Sequence, residues 1–147
     1  MSNHTSMAAA DRLAAQDVIV RYANCIDERD FETYRTCFAP DVVFTGFTPD
    51  PVNGIDEWVV FVEKQISAFT HTQHLLGPPS AVADGEDLRL RTDLQASHFF
   101  REPEGRIFTL WGVYLTRLVR DGDGEWRMTE HHLDIRATRF DPPAARS

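Results

Sequence analysis

One carboxylate on the first predicted helix is placed where it could do chemistry. Asp27 lies four positions after Ala23 and seven after Val20, so the three share a helix face at 100° per residue. That face is apolar upstream, where Leu13 and Ile19 lie on or near it, and a carboxylate there is costly to bury unless something pairs with it. Either the helix ends here and Asp27 is solvated, or Asp27 is a catalytic carboxylate at the edge of a pocket.

Histidines are the candidate partners for such a carboxylate. His98 alternates in phase with the leucines of its segment, so we expect it to point inward, either as a hydrogen-bonded core histidine or as a catalytic one. His71 and His74 lie in one short segment on opposite faces of a strand, and periodicity does not choose between them. The roles of His131 and His132 are left open by their pattern.

Other kinds of site have less support in the sequence. The His-x-x-His spacing of His71 and His74 brings ligands together on a helix but not on a strand, so we expect no metal. There is no Gly-x-Ser-x-Gly elbow, phosphate-binding glycine loop or dinucleotide fingerprint. Cys25 and Cys37 lack paired-motif spacing and are expected to be core residues. What remains is general acid–base chemistry by a carboxylate–imidazole pair.

The elements that position these residues follow from hydrophobic spacing and turn residues. Apolar residues three to five apart predict a helix beginning at Ala8, and Asp30 is the expected N-cap of a short second helix ending at Phe38. A third helix is predicted from Ile55 to Phe69. Alternating or β-branched segments predict strands at 42–47, 71–76, 80–83, 88–100, 106–119 and 125–140.

Three helices followed by long antiparallel strands predict an α+β fold, as a single domain over 1–147 with flexible ends at 1–7 and 142–147. Long strands with one apolar face need a cover, and the helices are the elements that can supply it. A strongly curved, mostly antiparallel sheet wrapped on a long helix would leave an internal apolar pocket between the two layers.

Composition and charge argue against several classes of partner. The 147 residues, 42% hydrophobic and 26% charged, are typical of one globular domain with its own core. A net charge of -8 without a Lys/Arg cluster disfavours nucleic acid and anionic membrane surfaces. With no run of 18 apolar residues and no signal peptide, we expect a soluble, cytoplasmic protein.

Several motifs occur in a recognisable order: Tyr22-x4-Asp27-x2-Asp30-Phe31, Phe38-Ala39-Pro40-Asp41-Val42-Val43-Phe44, Gly54 before a helix, Thr72-Gln73-His74, and Gly124-Glu125-Trp126-Arg127. This order resembles the SnoaL-like branch of the nuclear transport factor 2-like superfamily, over roughly Leu13 to Phe140. The resemblance implies a cone-shaped α+β barrel with a deep apolar pocket, no cofactor, and a homodimer or higher homo-oligomer. The superfamily includes dehydratases, dehydrochlorinases, ketosteroid isomerase, polyketide cyclases and non-catalytic proteins.

Within the superfamily the chain looks most similar to scytalone dehydratase. The resemblance implies that Asp27 is the aspartate at the end of the first helix, that His74 is the histidine of the Thr-Gln-His stretch, and that His98 is the second histidine. The dehydrochlorinases share only the pair at Asp27 and His74.

Two departures concern substrate recognition. The tyrosines with which the dehydratase holds a water on the substrate carbonyl correspond to Ile26 and Gly46. Its serine and asparagine on the penultimate strand fall near Trp111 and Val113. We therefore expect the acid–base residues to be kept while the substrate differs from scytalone.

The sequence thus predicts a lyase or isomerase that removes a proton next to an activating group and expels water or another leaving group. His74 would be the base, oriented by Asp27, while His98 would donate a proton to the leaving oxygen or hold an oxyanion. The alternatives are a polyketide cyclase with the same pair and a non-catalytic binding or dimerisation module. The expected ligand is a cyclic, polyketide-like or terpenoid-like small molecule. Aromatic residues that are candidates for pocket walls or plain core are Tyr22, Phe44, Trp58, Phe61, Phe100, Phe108 and Trp111.

Overall fold

The computed structural model describes residues 7–142, so the ends predicted to be flexible lie outside the described residues except at their innermost positions. The helices are α1 (Ala9–Glu28), α2 (Phe31–Arg35) and α3 (Ile55–Ile66). None of these helices is long and apolar enough to cross a membrane. The strands are β1 (Phe38–Thr45), β2 (Val52–Asn53), β3 (Phe69–Leu76), β4 (Ser80–Asp84), β5 (Asp87–Phe100), β6 (Ile107–Arg120) and β7 (Trp126–Asp141).

The strands form one sheet in the order β2-β1-β7-β6-β5-β3, with β4 paired to β5. Every pair is antiparallel except that of β1 with β7. The pairing of β6 with β7 shifts register after Trp111 and again after Arg117, and such bulges bend and twist a sheet. The predicted α+β architecture, with N-terminal helices packed on a curved and mostly antiparallel sheet, is confirmed.

The first helix is amphipathic, but its buried stripe differs from the predicted one. Its buried residues are Ala15, Val18, Ile19, Tyr22, Ala23, Cys25 and Ile26. Leu13 and Val20, which the sequence placed on or near the apolar face, are 61% and 42% exposed. Asp27 therefore does not reach the interior by sharing a face with Val20. It is partly buried because β3 packs against the end of the helix and supplies its hydrogen-bond partners.

The second helix is shorter than predicted because the chain enters the sheet early. The Asp30 side chain accepts a backbone N–H bond and caps the helix as expected, but the helix ends at Arg35. β1 begins at Phe38, so Pro40 lies inside a strand rather than after a helix. A proline is tolerated there because the pairing of β1 with β7 is interrupted between Phe38 and Val43.

The third helix also ends before its predicted limit. It stops at Ile66, and Phe69 begins β3 opposite Phe100. The loop predicted before this helix contains the short strand β2, which pairs with β1. The long strands β5, β6 and β7 agree with their predicted ranges to within one residue at each end.

Three of the candidate wall residues are part of the core. Tyr22, Phe44 and Trp58 are each 1% exposed. The Phe44 and Trp58 rings stack at 3.8 Å between centroids, and Phe61 packs against Trp58 at 5.3 Å. The Trp58 indole N–H donates to the Tyr34 hydroxyl at 2.8 Å, so its polar atom is also satisfied. Tyr22, Phe44 and Trp58 thus pack α1 and α3 against the sheet, while Phe61 is only partly buried.

Both cysteines are buried free thiols, as the sequence predicts. Burial raises the pKa of Cys25, and it raises the pKa of Cys37 to about 12. Since only the thiolate is a good nucleophile, these residues are structural.

Candidate active site

Asp27 and His74 form a hydrogen-bonded pair between the end of α1 and β3. His74 Nδ1–H donates to Asp27 Oδ1 at 2.8 Å, and the His74 backbone N–H donates to Oδ2 at 2.8 Å. The His74 and Asp27 side chains are 8% and 15% exposed, so the pair is nearly removed from solvent. His71, the alternative partner, lies exposed on the other face of β3.

This arrangement determines which nitrogen of His74 is free. An ionised carboxylate only accepts hydrogen bonds, so Nδ1 carries its proton when the ring is neutral. The lone pair is then on Nε2, where it can accept a proton from a substrate. Asp27 would stabilise the imidazolium that forms, as a carboxylate does in other acid–base pairs.

Thr72 and Arg29 complete the surroundings of the carboxylate. The Thr72 hydroxyl donates to Asp27 Oδ1 at 3.0 Å and accepts from Arg29 Nη1 at 2.8 Å. Arg29 Nη1 also donates to the carbonyl of Ile26 at 2.8 Å. Arg29 follows the last turn of α1 with a φ of 59°, in the left-handed conformation that ends many helices.

These contacts favour the ionised carboxylate. Burial of Asp27 opposes ionisation, but the hydrogen bonds and charge of His74 and the hydroxyl of Thr72 outweigh it and lower the Asp27 pKa. Burial lowers the pKa of Arg29, while attraction to Asp27 raises it, and a guanidinium remains charged in this range. The site therefore combines a carboxylate, a neutral or protonated imidazole and a fixed cation.

His98 lies beside the pair on β5 and points inward, as predicted. Its ring centroid is 6.1 Å from that of His74. Its Nδ1–H donates to the Phe108 carbonyl at 3.1 Å, so the neutral ring has its lone pair on Nε2. Burial lowers the pKa of His98, although the bond to Phe108 opposes this. The neutral ring thus offers an acceptor, and the predicted donor role would require a protonated ring that burial disfavours.

Aromatic side chains surround His98 at one end of the sheet. Phe69 and Phe108 lie 4.9 and 5.2 Å from its ring. Phe100 packs against Phe69 at 4.9 Å, and Phe140 packs against Phe108 at 5.0 Å. Of the candidate wall residues, Phe108 contacts His98 and Phe100 is one ring further away, and Phe69 and Phe140 are further members of this aromatic group.

Trp111, a candidate for a pocket wall or plain core, lies on the outer face of the sheet. It pairs with Gln95, an exposed residue of β5, and directly paired residues point to the same side. Its neighbour Leu110 takes the inward position and packs against the core. The sequence of β6 is apolar on both faces, so its alternation does not reveal which side is inward.

The two adjacent histidines on β7 face opposite sides. His131 is fully buried with Nδ1 at 2.9 Å from the Thr116 hydroxyl, and burial lowers its pKa to about 3. His132 Nδ1 lies 2.8 Å from the Thr45 hydroxyl. In the span 7–142 there is no group of three His, Cys, Asp or Glu residues placed to hold a metal.

Arg29 and Thr72 are the site residues that the sequence did not identify. Thr72 shares a strand face with His74, so the alternation of β3 contained a signal for it. Arg29 had no comparable signal, because its position depends on the backbone turn after α1. One departure from the dehydratase has a steric reason. A Cβ at Gly46 would lie 2.0 Å from the Leu133 carbonyl oxygen, so this backbone has no room for a tyrosine there.

Three solved structures illustrate the proteins that share this fold. A candidate aromatic ring hydroxylase from Novosphingobium aromaticivorans is 24% identical, with a TM-score of 0.82 over 92% of this chain and 96% of that one. A candidate scytalone dehydratase from the same species is 19% identical, with a TM-score of 0.78 over 94% and 95%. Hexachlorocyclohexane dehydrochlorinase LinA-type3 from Novosphingobium barchaimii is 14% identical, with a TM-score of 0.80 over 94% of each chain.

At these identities the structural likeness establishes a shared fold. No curated protein matches the chain by sequence. A family match, however, spans residues 7–132, which contain α1, Asp27, His74 and His98. The chain therefore belongs to the SnoaL-like domain family.

Proposed function

We propose that this protein is a cofactor-independent small-molecule lyase of the dehydratase type, with Asp27 and His74 as its general acid–base pair. The observation that carries the proposal is the double contact of His74 with Asp27, because it leaves Nε2 as a free base. A non-catalytic module would be favoured if the two residues lay beyond hydrogen-bond reach, and they are 2.8 Å apart. The fold shared with a dehydrochlorinase supports the same class of reaction.

In this reaction His74 Nε2 removes a proton from a carbon next to an activating group. Asp27 stabilises the resulting imidazolium, which then returns the proton to the leaving hydroxyl as water departs. General acid–base catalysis of this kind contributes ~10²–10⁴-fold in rate. His98 Nε2 accepts a hydrogen bond from a substrate hydroxyl and so helps to orient the ring.

The substrate is a cyclic, polyketide-like or terpenoid-like molecule whose ring lies against the aromatic group around His98. Phe108 and Phe69 supply apolar surface next to His98, and Phe100 extends it beyond Phe69. An isomerase or a polyketide cyclase would use the same base and differ in what happens after proton removal.

The test uses cyclic β-hydroxy ketones in D2O, with NMR to follow deuterium uptake beside the carbonyl and mass spectrometry to follow loss of water. We expect the wild type to catalyse both events and the His74→Gln and Asp27→Asn variants to be slower in both by ~10²–10⁴-fold. His71→Gln is the matched control, since His71 lies on the exposed face of the same strand. Exchange without loss of water would replace the lyase with an isomerase or cyclase, and full activity in His74→Gln would contradict the pair.

A second copy of this chain is the expected partner, bound through the outer face of the sheet. Leu115 is 46% exposed there, on the same side as Trp111. A concavity of about 700 Å³ on this face is lined in part by Val43, Val82 and His132. Arg89, Arg91, Arg117 and Glu130 also line it, and a surface that combines apolar and charged residues can be covered by an interface in a symmetric homodimer.

A further inference from the structure

Most polar atoms around the catalytic pair already have partners. The dyad cluster is defined here as Asp27, Arg29, Thr72, His74 and His98. Asp27 Oδ1 accepts from the Thr72 hydroxyl and from His74 Nδ1, while Oδ2 accepts from the His74 backbone. The Thr72 hydroxyl also accepts from Arg29, and His98 Nδ1 is used by the Phe108 carbonyl.

The positions of the dyad cluster that keep hydrogen-bonding capacity include three that differ in kind. His74 Nε2 and His98 Nε2 are lone pairs in the neutral rings, so both accept. Arg29 Nη2 is a donor, and it is buried without a hydrogen-bond partner. Buried donors are nearly always satisfied in folded proteins, and a charged one left unpaired beside a catalytic pair calls for a ligand that completes it.

The backbone conformation of Arg29 and the hydrogen bonds of its Nη1 hold Nη2 in place. Arg29 has a φ of 59°, a conformation in which glycine would be less strained. Its Nη1 donates to the Ile26 carbonyl and to Thr72, each at 2.8 Å, and these two bonds fix the plane of the guanidinium. The free N–H groups therefore have a set position relative to Asp27 and His74 before any ligand binds.

We propose that Arg29 Nη2 is the oxyanion donor of this site and that the substrate carries a carbonyl oxygen which it binds. The proposal rests on the proposed function. When His74 Nε2 takes the proton, the C–H bond breaks, an N–H bond forms, and the electron pair moves through the new C=C bond onto that oxygen. The negative charge then develops beside a fixed cation in a site largely closed to water, where such a contact is strongest.

Other groups of the site fit this role less well. His98 offers a lone pair rather than an N–H, and a lone pair would repel an oxyanion. Arg101 lies near the same end of the sheet, but it is exposed and its Nε donates to the Ser67 carbonyl at 3.0 Å. Arg29 is thus the group of the dyad cluster with a free N–H. A purely structural Arg29 would need only the bonds from Nη1.

The first experiment measures oxyanion binding without catalysis, using 4-nitrophenol as the probe. Its pKa in the presence of excess protein is read from the absorbance of the phenolate. A cation held next to the oxygen should lower this pKa by ~1–3 units in the wild type. Arg29→Met and Arg29→Gly should abolish the shift, while Arg101→Met, the matched loss of a nearby cation, should retain it. Arg29→Gly suits the local backbone, so it keeps the test valid if Arg29→Met unfolds.

The proposal is overturned if wild-type protein binds the phenolate no more tightly than the neutral phenol. It is also overturned if Arg29→Gly keeps the shift, or if Arg101→Met loses as much of it. The second experiment is kinetic, on any substrate found by the D2O screen. Arg29→Met should lower kcat by ~10²–10³-fold, the usual effect of losing one oxyanion donor. Full activity of His74→Gln with an intact phenolate shift would reject the lyase mechanism and leave the Arg29 site standing.

Discussion

His74 donates two hydrogen bonds to the carboxylate of Asp27, one from its ring and one from its backbone, each at 2.8 Å. The backbone bond ties the carboxylate to β3 itself, so the carboxylate remains aligned with the strand when the ring moves. The ring bond then has a single direction, which places the proton on Nδ1 and the lone pair on Nε2. One pair of residues thereby sets both the tautomer and the orientation of the His74 imidazole.

Replacing Asp27 with asparagine should disable the base without removing the histidine. Asparagine can turn its NH2 group toward Nδ1 and favour the wrong tautomer, so we expect kcat to fall by ~10²–10⁴-fold. ¹⁵N NMR of the His74 ring should show the loss of the Nδ1–H form. Asp17→Asn, an exposed change on the same helix, is the control. Unchanged turnover and tautomer in Asp27→Asn would contradict this role.

The Thr72 hydroxyl should help to hold Asp27 ionised. Its removal in Thr72→Val takes one hydrogen bond from the carboxylate, so the Asp27 pKa should rise, whereas Thr72→Ser should keep it low. A carboxyl group with a lowered folded pKa contributes stability above its unfolded pKa of ~3.9 and loses that contribution as pH falls through the folded value. ¹³C NMR titration of Asp27 and urea unfolding at pH 7 and pH 3 measure both effects. An identical titration in Thr72→Val would show that the hydroxyl is irrelevant.

His131 should make the fold sensitive to acid. Its pKa is lowered to about 3 by burial, whereas the unfolded chain binds the proton near ~6.5. The unfolded state therefore binds more protons below pH ~6.5, and stability should fall with pH from there down to about 3. The double variant His131→Leu/Thr116→Val removes the buried ring and its hydroxyl partner together, and it should flatten this dependence in urea unfolding. His71→Gln, an exposed histidine, should leave it unchanged. If the free energy of unfolding of the double variant fell equally steeply with pH, the acid sensitivity would come from groups other than His131.

The two tryptophans that were both candidates for the pocket wall should differ in stability effects. Trp58 is 1% exposed and stacked on Phe44, so Trp58→Ala should cost ~3–5 kcal/mol in the free energy of unfolding. Trp111 lies on the outer face, so Trp111→Ala should cost much less in the monomer. Chemical denaturation of each variant at low protein concentration makes the comparison. Equal losses would mean that Trp111 contributes to the core after all.

The outer face of the sheet should control self-association. Leu115→Arg places a charge on the proposed interface and should convert a dimer to a monomer in sedimentation velocity. Val60→Arg is the control, because Val60 is an exposed apolar residue on α3, away from the sheet face. A wild-type monomer at all concentrations, or a dimer unaffected by Leu115→Arg, would exclude this interface.

Local pattern was sufficient for most elements of the fold. The long strands were predicted from alternation and strong turn residues, because successive side chains of a strand point to opposite faces of the sheet. The ends of α2 and α3 were missed because pairing of Phe38 and Phe69 in the sheet outweighed helical spacing. The face on which Trp111 lies did not follow from the sequence for a related reason: in a strand that is apolar on both sides, only the pairing partner shows the direction of a side chain.

The sequence by itself made Asp27, His74 and His98 candidates, His98 because it alternates in phase with apolar residues and all three because they match the motifs of one family. It did not choose between His71 and His74 by periodicity, and it had no signal for Arg29. Only the tertiary structure determines both, since the choice of His74 depends on how β3 packs against the end of α1, and the position of Arg29 depends on its left-handed backbone conformation. Which atom donates, which accepts and which is left without a hydrogen-bond partner is decided only when elements distant in sequence pack together.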